Sequence, residues 1–257
     1  MNRDTLRQWL TLLLVLATLV VNGLANALPF NNLSTAEISD RFQVYFVPAG
    51  YVFAIWGLIY LGLLGFAVFQ ALPAQRQNPH LRAIFPWFGL ASVANMTWLF
   101  LWHYEQFPLT LVAMLTLLIS LVVIYVRLGV QRRVVSPAER WLVHAPFSLY
   151  LGWISVATIA NVTDVLYDLG WNGGGLAPET WVLILFGVVV LLAGVMAWTR
   201  RDVIYLLVLV WALAGIGVKQ SALPLVATAA YLAAGGVALQ ALGSLLLPRR
   251  RGEGREA

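Results

Sequence analysis

The chain has no cysteine among its 257 residues. A disulfide framework, a thiolate nucleophile and a cysteine-ligated metal are therefore all excluded. Charge is scarce as well: 11% of residues are Asp, Glu, Lys or Arg, against roughly 25% in soluble domains. Only three histidines are present. What fills their place is apolar, at 61% of the chain, where a soluble domain holds roughly 45–50%. A water-soluble fold of this length has too little interior to hide that surface, and a bilayer supplies the missing apolar solvent.

A membrane-crossing helix needs about 20 apolar residues. Eight runs approach that length: Trp9–Leu28, Tyr51–Leu72, Ala83–Trp102, Pro108–Leu128, Trp141–Val162, Thr180–Trp198, Val203–Val218 and Leu223–Leu247. The seventh is the shortest. The sequence thus predicts an all-α, polytopic transmembrane bundle of eight spans.

Basic residues test that count. With the N-terminus inside, the inner segments carry Arg3, Arg7, Arg76, Arg82, Arg127, Arg132, Arg133, Arg140, Arg200, Arg201, Arg249, Arg250, Arg251 and Arg255. The outer segments carry only Arg41 and Lys219. Acidic residues show no such bias, as the positive-inside rule expects. The predicted location is the plasma or inner membrane, multi-pass, with both termini cytoplasmic. The sequence pI near 9.8 is then a topology signal and not a nucleic-acid footprint, and the partner it implies is the lipid bilayer. A rival reading takes the first run as a signal peptide, with Ala25-Asn26-Ala27 resembling a cleavage site, which leaves seven helices.

Function classes narrow next. No ionisable residue falls near the middle of a span, which argues against an ion-coupled pump or proton relay. His103 falls at the outer end of the third helix, whereas His80 and His144 lie inside, about 30 Å away across the hydrocarbon core. A multi-histidine metal site is excluded by that separation. His103, beside Trp102 and Tyr104, is either an interfacial histidine or an axial haem ligand. Gly173-Gly174-Gly175 follows no strand, so it is no phosphate loop. Glu105 with His103, and Asp164 with Asp168, are the only local groupings an intramembrane enzyme would have, and both read as solvated outer-loop residues. The chain is expected not to be an enzyme.

Before the second span, Ser34 and Glu37 fit a capping box, and Ile38, Phe42 and Tyr45 would line one face of a short helix on the outer surface. Three spans carry aromatic and amide residues at helical spacing. Phe53, Trp56 and Tyr60 form one stripe; Asn95, Trp98 and Trp102 form a second; Tyr150, Trp153, Ala157 and Asn161 form a third. An asparagine facing lipid costs free energy, so Asn95 and Asn161 should point inward. From spacing alone two readings stand: helix packing with asparagine as hydrogen-bond glue, or an aromatic-walled pocket for a flat apolar ligand.

The run from Phe46-Val47-Pro48 through Trp56 to Tyr60 resembles the start of the second helix in the tryptophan-rich sensory protein family, which includes the translocator protein or peripheral benzodiazepine receptor. Asn95-Met96-Thr97-Trp98 resembles that family's third-helix segment. Ala145-Pro146 through Trp153 to Asn161 resembles its fifth. The motifs fall in register over residues 10–163, so the resemblance implies a five-helix unit over 1–163, followed by an outer loop at 164–179, three added helices at 180–247 and a cytoplasmic basic tail at 248–257. It also implies a homodimer and a small lipophilic ligand, a porphyrin or haem, held by Phe53, Trp56, Tyr60, Asn95, Trp98, Tyr150, Trp153, Ala157 and Asn161. No motif demands a cofactor beyond that ligand. The segment from Pro29 to Gly50 departs from the family in lacking its Trp and Lys-Pro pair, so the lid and any porphyrin-modifying chemistry lose their support. The three added helices, poor in polar residues, read as a packing or oligomerisation addition. An uncoupled carrier of a neutral solute is the alternative function, although no repeat relates the two halves.

Overall fold

The computed structural model describes residues 2–27 and 30–246. The predicted tail at 248–257, with Arg249, Arg250, Arg251 and Arg255, lies outside the described residues. Among the described residues there is no strand. Eight long helices are α1 (Arg3–Ala27), α3 (Gly50–Ala71), α4 (Pro79–His103), α5 (Phe107–Leu128), α6 (Pro137–Asp168), α7 (Pro178–Thr199), α8 (Val203–Lys219) and α9 (Pro224–Leu246). The short α2 (Thr35–Ser39) lies between the first two. Seven of the long helices are long and apolar enough to cross a membrane, and α8 is the shorter eighth. The chain is a multi-pass helical membrane protein.

Local chemistry sets the ends. Asn78 caps α4 by accepting from the His80 and Leu81 N–H groups, and Pro79 follows at a position where its missing N–H costs nothing. Gly129 ends α5 at φ 62°, a conformation that favours glycine. In α6, Pro146 cannot donate a backbone bond, and residues Arg140–His144 widen into a π turn just before it. At α2 the predicted capping box is present: Ser34 Oγ accepts from the Glu37 N–H, and the Glu37 carboxylate accepts from the Ser34 N–H at 2.7 Å. The bonds that Ser34 donates, from its backbone and then its hydroxyl, hold the Glu37 carboxyl below the usual carboxylate range.

Side chains of the outward faces are apolar and uncovered, as with Leu61, Leu191, Leu232 and Leu239 at 66–72% exposure. In water such a belt would aggregate; in lipid it is the solvated surface. Helix α6 is the opposite case. Its apolar window is 72% buried, because α3, α5 and α8 all pack on it. Gly152 permits the α6–α8 approach: a Cβ there would stand 3.0 Å from Val208 Cβ and 3.2 Å from the Tyr205 carbonyl.

One end of the bundle gathers the arginines. Arg7 donates to the Arg76 carbonyl at 3.0 Å, Arg82 pairs with Asp4, Arg127 donates to the Ala83 carbonyl and Arg200 to that of Val130. These bonds join successive turns, so the alternation of basic loops read from the sequence is a physical grouping. Gln8 and Gln70 fasten α1 to α3 by exchanging side-chain to backbone bonds.

The reading of Asp164 as a solvated outer-loop residue is corrected. Helix α6 runs on to Asp168, so Asp164 sits in its last turns and is 3% exposed. Asp168, four residues on, is exposed. The local drop in hydropathy does not mark the end of the helix.

Candidate ligand cavity

The three aromatic stripes meet. On α3, Trp56 stacks on Tyr60, with centroids 5.6 Å apart, and lies edge-on to Tyr150 and Trp153 of α6. Phe53 meets Trp153 at 5.8 Å. On α4, Trp98 and Trp102 are stacked at 5.2 Å. Such ring pairs add about 0.5–1.5 kcal/mol each beyond the area they bury.

Between these walls lies a cavity. Phe53, Trp56, Trp98, Trp153, Ala157 and Asn161, all singled out from spacing, line it. Tyr60 and Tyr150 stand behind Trp56 and support it. Asn95 does not reach the cavity; its Oδ1 accepts from Asn22 Nδ2 at 2.8 Å, so it joins α4 to α1. For Asn95 the glue reading describes its place. Spacing could not separate the two readings, because the partner lies 73 residues away.

Asn161 is held from two sides. Its Oδ1 accepts from Trp98 Nε1 at 3.2 Å, and its Nδ2 donates to Thr110 Oγ1 at 2.8 Å. Thr110 passes its own proton to the Phe107 carbonyl at 2.6 Å. The amide therefore bridges α4, α5 and α6 and fixes the plane of Trp98.

Several lining residues were not legible from spacing. Thr35 and Ser39 of α2 close one end, where Trp102 Nε1 donates to the Thr35 carbonyl at 3.2 Å. Val47 and Pro48 cover the flank, and Met114 comes from α5. Asp164 follows the α6 stripe one turn beyond Asn161; extending the 153, 157, 161 series by three would have found it.

Polar satisfaction is incomplete here. Trp153 Nε1 and Asp164 Oδ1 are both buried and have no hydrogen-bond partner. Buried polar groups are paired in the great majority of cases, so each such atom calls for a cause.

His103 is fully buried; its Nδ1 lies 3.1 Å from the Phe30 carbonyl and its Nε2 3.2 Å from Thr35 Oγ1. With both ring nitrogens engaged it clasps the segment before α2, and the axial-haem reading has no free nitrogen to use. Glu105 faces away, paired with Arg41 at 2.5 Å, so the two do not form a joint site. Among the described residues no group of three or more His, Cys, Asp or Glu could hold a metal.

The cavity is narrow, about 50 Å³, where drug-sized ligands occupy roughly 300–1,000 Å³. A tetrapyrrole does not fit it in this closed form. Val47 and Pro48 cover its flank, and α8 holds the 40–52 segment that carries them. Ala49 N–H donates to the Gly215 carbonyl at 3.1 Å, Trp211 Nε1 to that of Val52 at 3.0 Å and Gln220 Nε2 to that of Tyr45 at 3.1 Å. Lys219 pairs with Asp40 at 2.7 Å. The C-terminal helices, expected to serve packing or oligomerisation, thus reach the cavity's lid.

No curated protein and no solved structure matches the chain. The family model described as TSPO-like protein matches residues 8–243, from α1 through α9 and so beyond the residues 10–163 that carry the motifs. With that match over most of its length, and with the helical bundle and aromatic core described above, the chain belongs to the TSPO-like family.

Proposed function

We propose that this membrane protein binds a flat lipophilic ligand in the cavity between α3, α4 and α6, as a sensor or facilitator and not as a catalyst. The observation that carries the reading is the convergence of Trp56, Trp98 and Trp153 on one internal space that also keeps a polar edge. Ring stacking and desolvation, at about 25 cal/mol per Å² of apolar area, provide the affinity, and Asn161 fixes one wall. Entry requires the 40–52 segment to yield, because the closed space is too small for any polycyclic ring.

Tryptophan fluorescence in neutral detergent tests this. Saturable quenching by 1-methylpyrene at micromolar concentration is expected, with octaethylporphyrin probing how far the lid opens. Trp98→Ala with Trp153→Ala should weaken methylpyrene binding by about 30-fold or more, on the scale of two lost stacking partners. The paired Trp→Phe changes should retain most of it. Quenching that never saturates, or that survives the double alanine change, would refute the cavity as a binding site.

We also propose that the arginine-rich end faces the cytoplasm, following the positive-inside rule. Green fluorescent protein fused after Arg132 or after Arg201 should fluoresce, and alkaline phosphatase fused after Gly174 should be active. Activity of phosphatase at Arg132 would reverse the orientation.

A further inference from the structure

The nine-tenths-buried carboxylate at the lid end of the cavity has no explanation in packing. Asp164 is 3% exposed and lines the cavity together with Thr35, Ser39 and Asn161. Its Oδ1 has no partner. Among the described residues no Arg, Lys or His pairs with it: Arg41 is taken by Glu105, Lys219 by Asp40, and the His103 ring by Phe30 and Thr35. Contrast Asp202, the other buried carboxylate. One of its oxygens accepts from Tyr125 and Ser148 hydroxyls at 2.8 and 2.6 Å, and the other from the Tyr205 N–H. The same chain thus satisfies one buried carboxylate completely and leaves the other open toward a cavity.

We infer that Asp164 is the recognition group for a cationic nitrogen on the ligand, so that the cavity selects flat lipophiles carrying an amine at the lid end. This rests on the cavity reading above and deepens it. A carboxylate taken out of water without a partner is costly, and a ligand that brings the opposite charge removes the cost while burying its own ring. Position supports the assignment. Asp164 lies one turn beyond Asn161 on α6, about 5 Å along the axis at 1.5 Å per residue, and Asn161 bonds Trp98. A ring against Trp98 therefore stands within about one helical turn of the carboxylate. A ligand bearing carboxylate side chains meets no unpaired Arg41, Lys219 or His103 here, so it would have to turn them away from the lid.

Three probes of one shape separate the possibilities: 1-pyrenemethylammonium, neutral 1-methylpyrene and 1-pyrenecarboxylate, titrated against the full chain in an uncharged maltoside detergent with tryptophan-to-pyrene energy transfer as the signal. The ammonium should bind about ten-fold or more tighter than methylpyrene, and the carboxylate most weakly, as expected for one charge-paired contact. Asp164→Asn should abolish the ammonium's advantage over methylpyrene, with the helical circular dichroism and elution volume of the wild type. Equal binding of ammonium and methylpyrene by the wild type would overturn the assignment while leaving the cavity reading intact. An equal loss for both probes in Asp164→Asn would also overturn it, marking Asp164 as structural. If methylpyrene itself fails to bind the wild type, the cavity reading falls and this inference falls with it.

Discussion

Asp202→Ala should cost the protein on the order of 3–5 kcal/mol, the largest stability loss expected for any single change considered. Asp202 is fully buried and caps α8. Its carboxylate gathers the Tyr125 hydroxyl from α5, the Ser148 hydroxyl from α6 and the Tyr205 N–H from α8, and Arg200 lies over the Tyr125 ring at 5.4 Å. Removing it leaves two buried hydroxyls and a helix N–H without partners, each costing about 1–3 kcal/mol. Little is recovered from water, because Asp202 is fully buried. Thermal unfolding in detergent, followed by intrinsic fluorescence, should show the loss. Asp202→Asn keeps an acceptor oxygen and should fall between alanine and wild type. An alanine variant that melts with the wild type would show that the Asp202 bonds contribute nothing net to holding α8 in the bundle.

Gly215→Leu carries the second large effect, and it acts on the lid. A Cβ at position 215 would collide with the Val52 side chain and touch Pro48. Because the Gly215 carbonyl also holds the Ala49 N–H, the substituted helix cannot keep its distance and its bond at once. Overpacking of this kind costs about 1–3 kcal/mol. The displaced residues are those that cover the cavity, so methylpyrene should associate several-fold faster in stopped-flow measurements and dissociate faster still. Trp211→Phe, which removes the bond to the Val52 carbonyl and trims the ring that lies edge-on to Tyr51, should show the same direction with a smaller size. Unchanged association rates in both variants would mean that ligands enter from the lipid side, between helices, and not past the lid.

The two predictions concern residues that sequence reasoning left aside: Gly215 matters through contacts with Val52 and Pro48, far off in the chain, and Asp202 for a different reason. Hydropathy sums over a window, and an aspartate beside two arginines at a helix end is read as part of a wet loop. Asp202 is instead drawn inward by hydroxyls on two other helices. Asp164 was misjudged in the same way. By contrast, the stripes on α3, α4 and α6 were legible because an asparagine or a tryptophan series at three- and four-residue spacing has only one favourable direction in lipid. The capping box at Ser34 and Glu37 was legible because all its bonds are local. Asn95 shows the boundary between the two cases: its inward direction followed from its chemistry, and its partner Asn22 did not.

Composition and charge order, taken alone, determined that this chain is a helical membrane protein, where its long helices run, which ends group together and which three faces turn inward. These follow from free energies assigned residue by residue: transfer into hydrocarbon, local capping and helical period. Tertiary structure alone decided that the cavity is nearly closed, that α8 of the C-terminal helices holds its cover, and that one buried carboxylate is fully bonded while another is open. Those outcomes depend on distances between helices far apart in the chain, and packing fixes such distances only when all the helices are assembled.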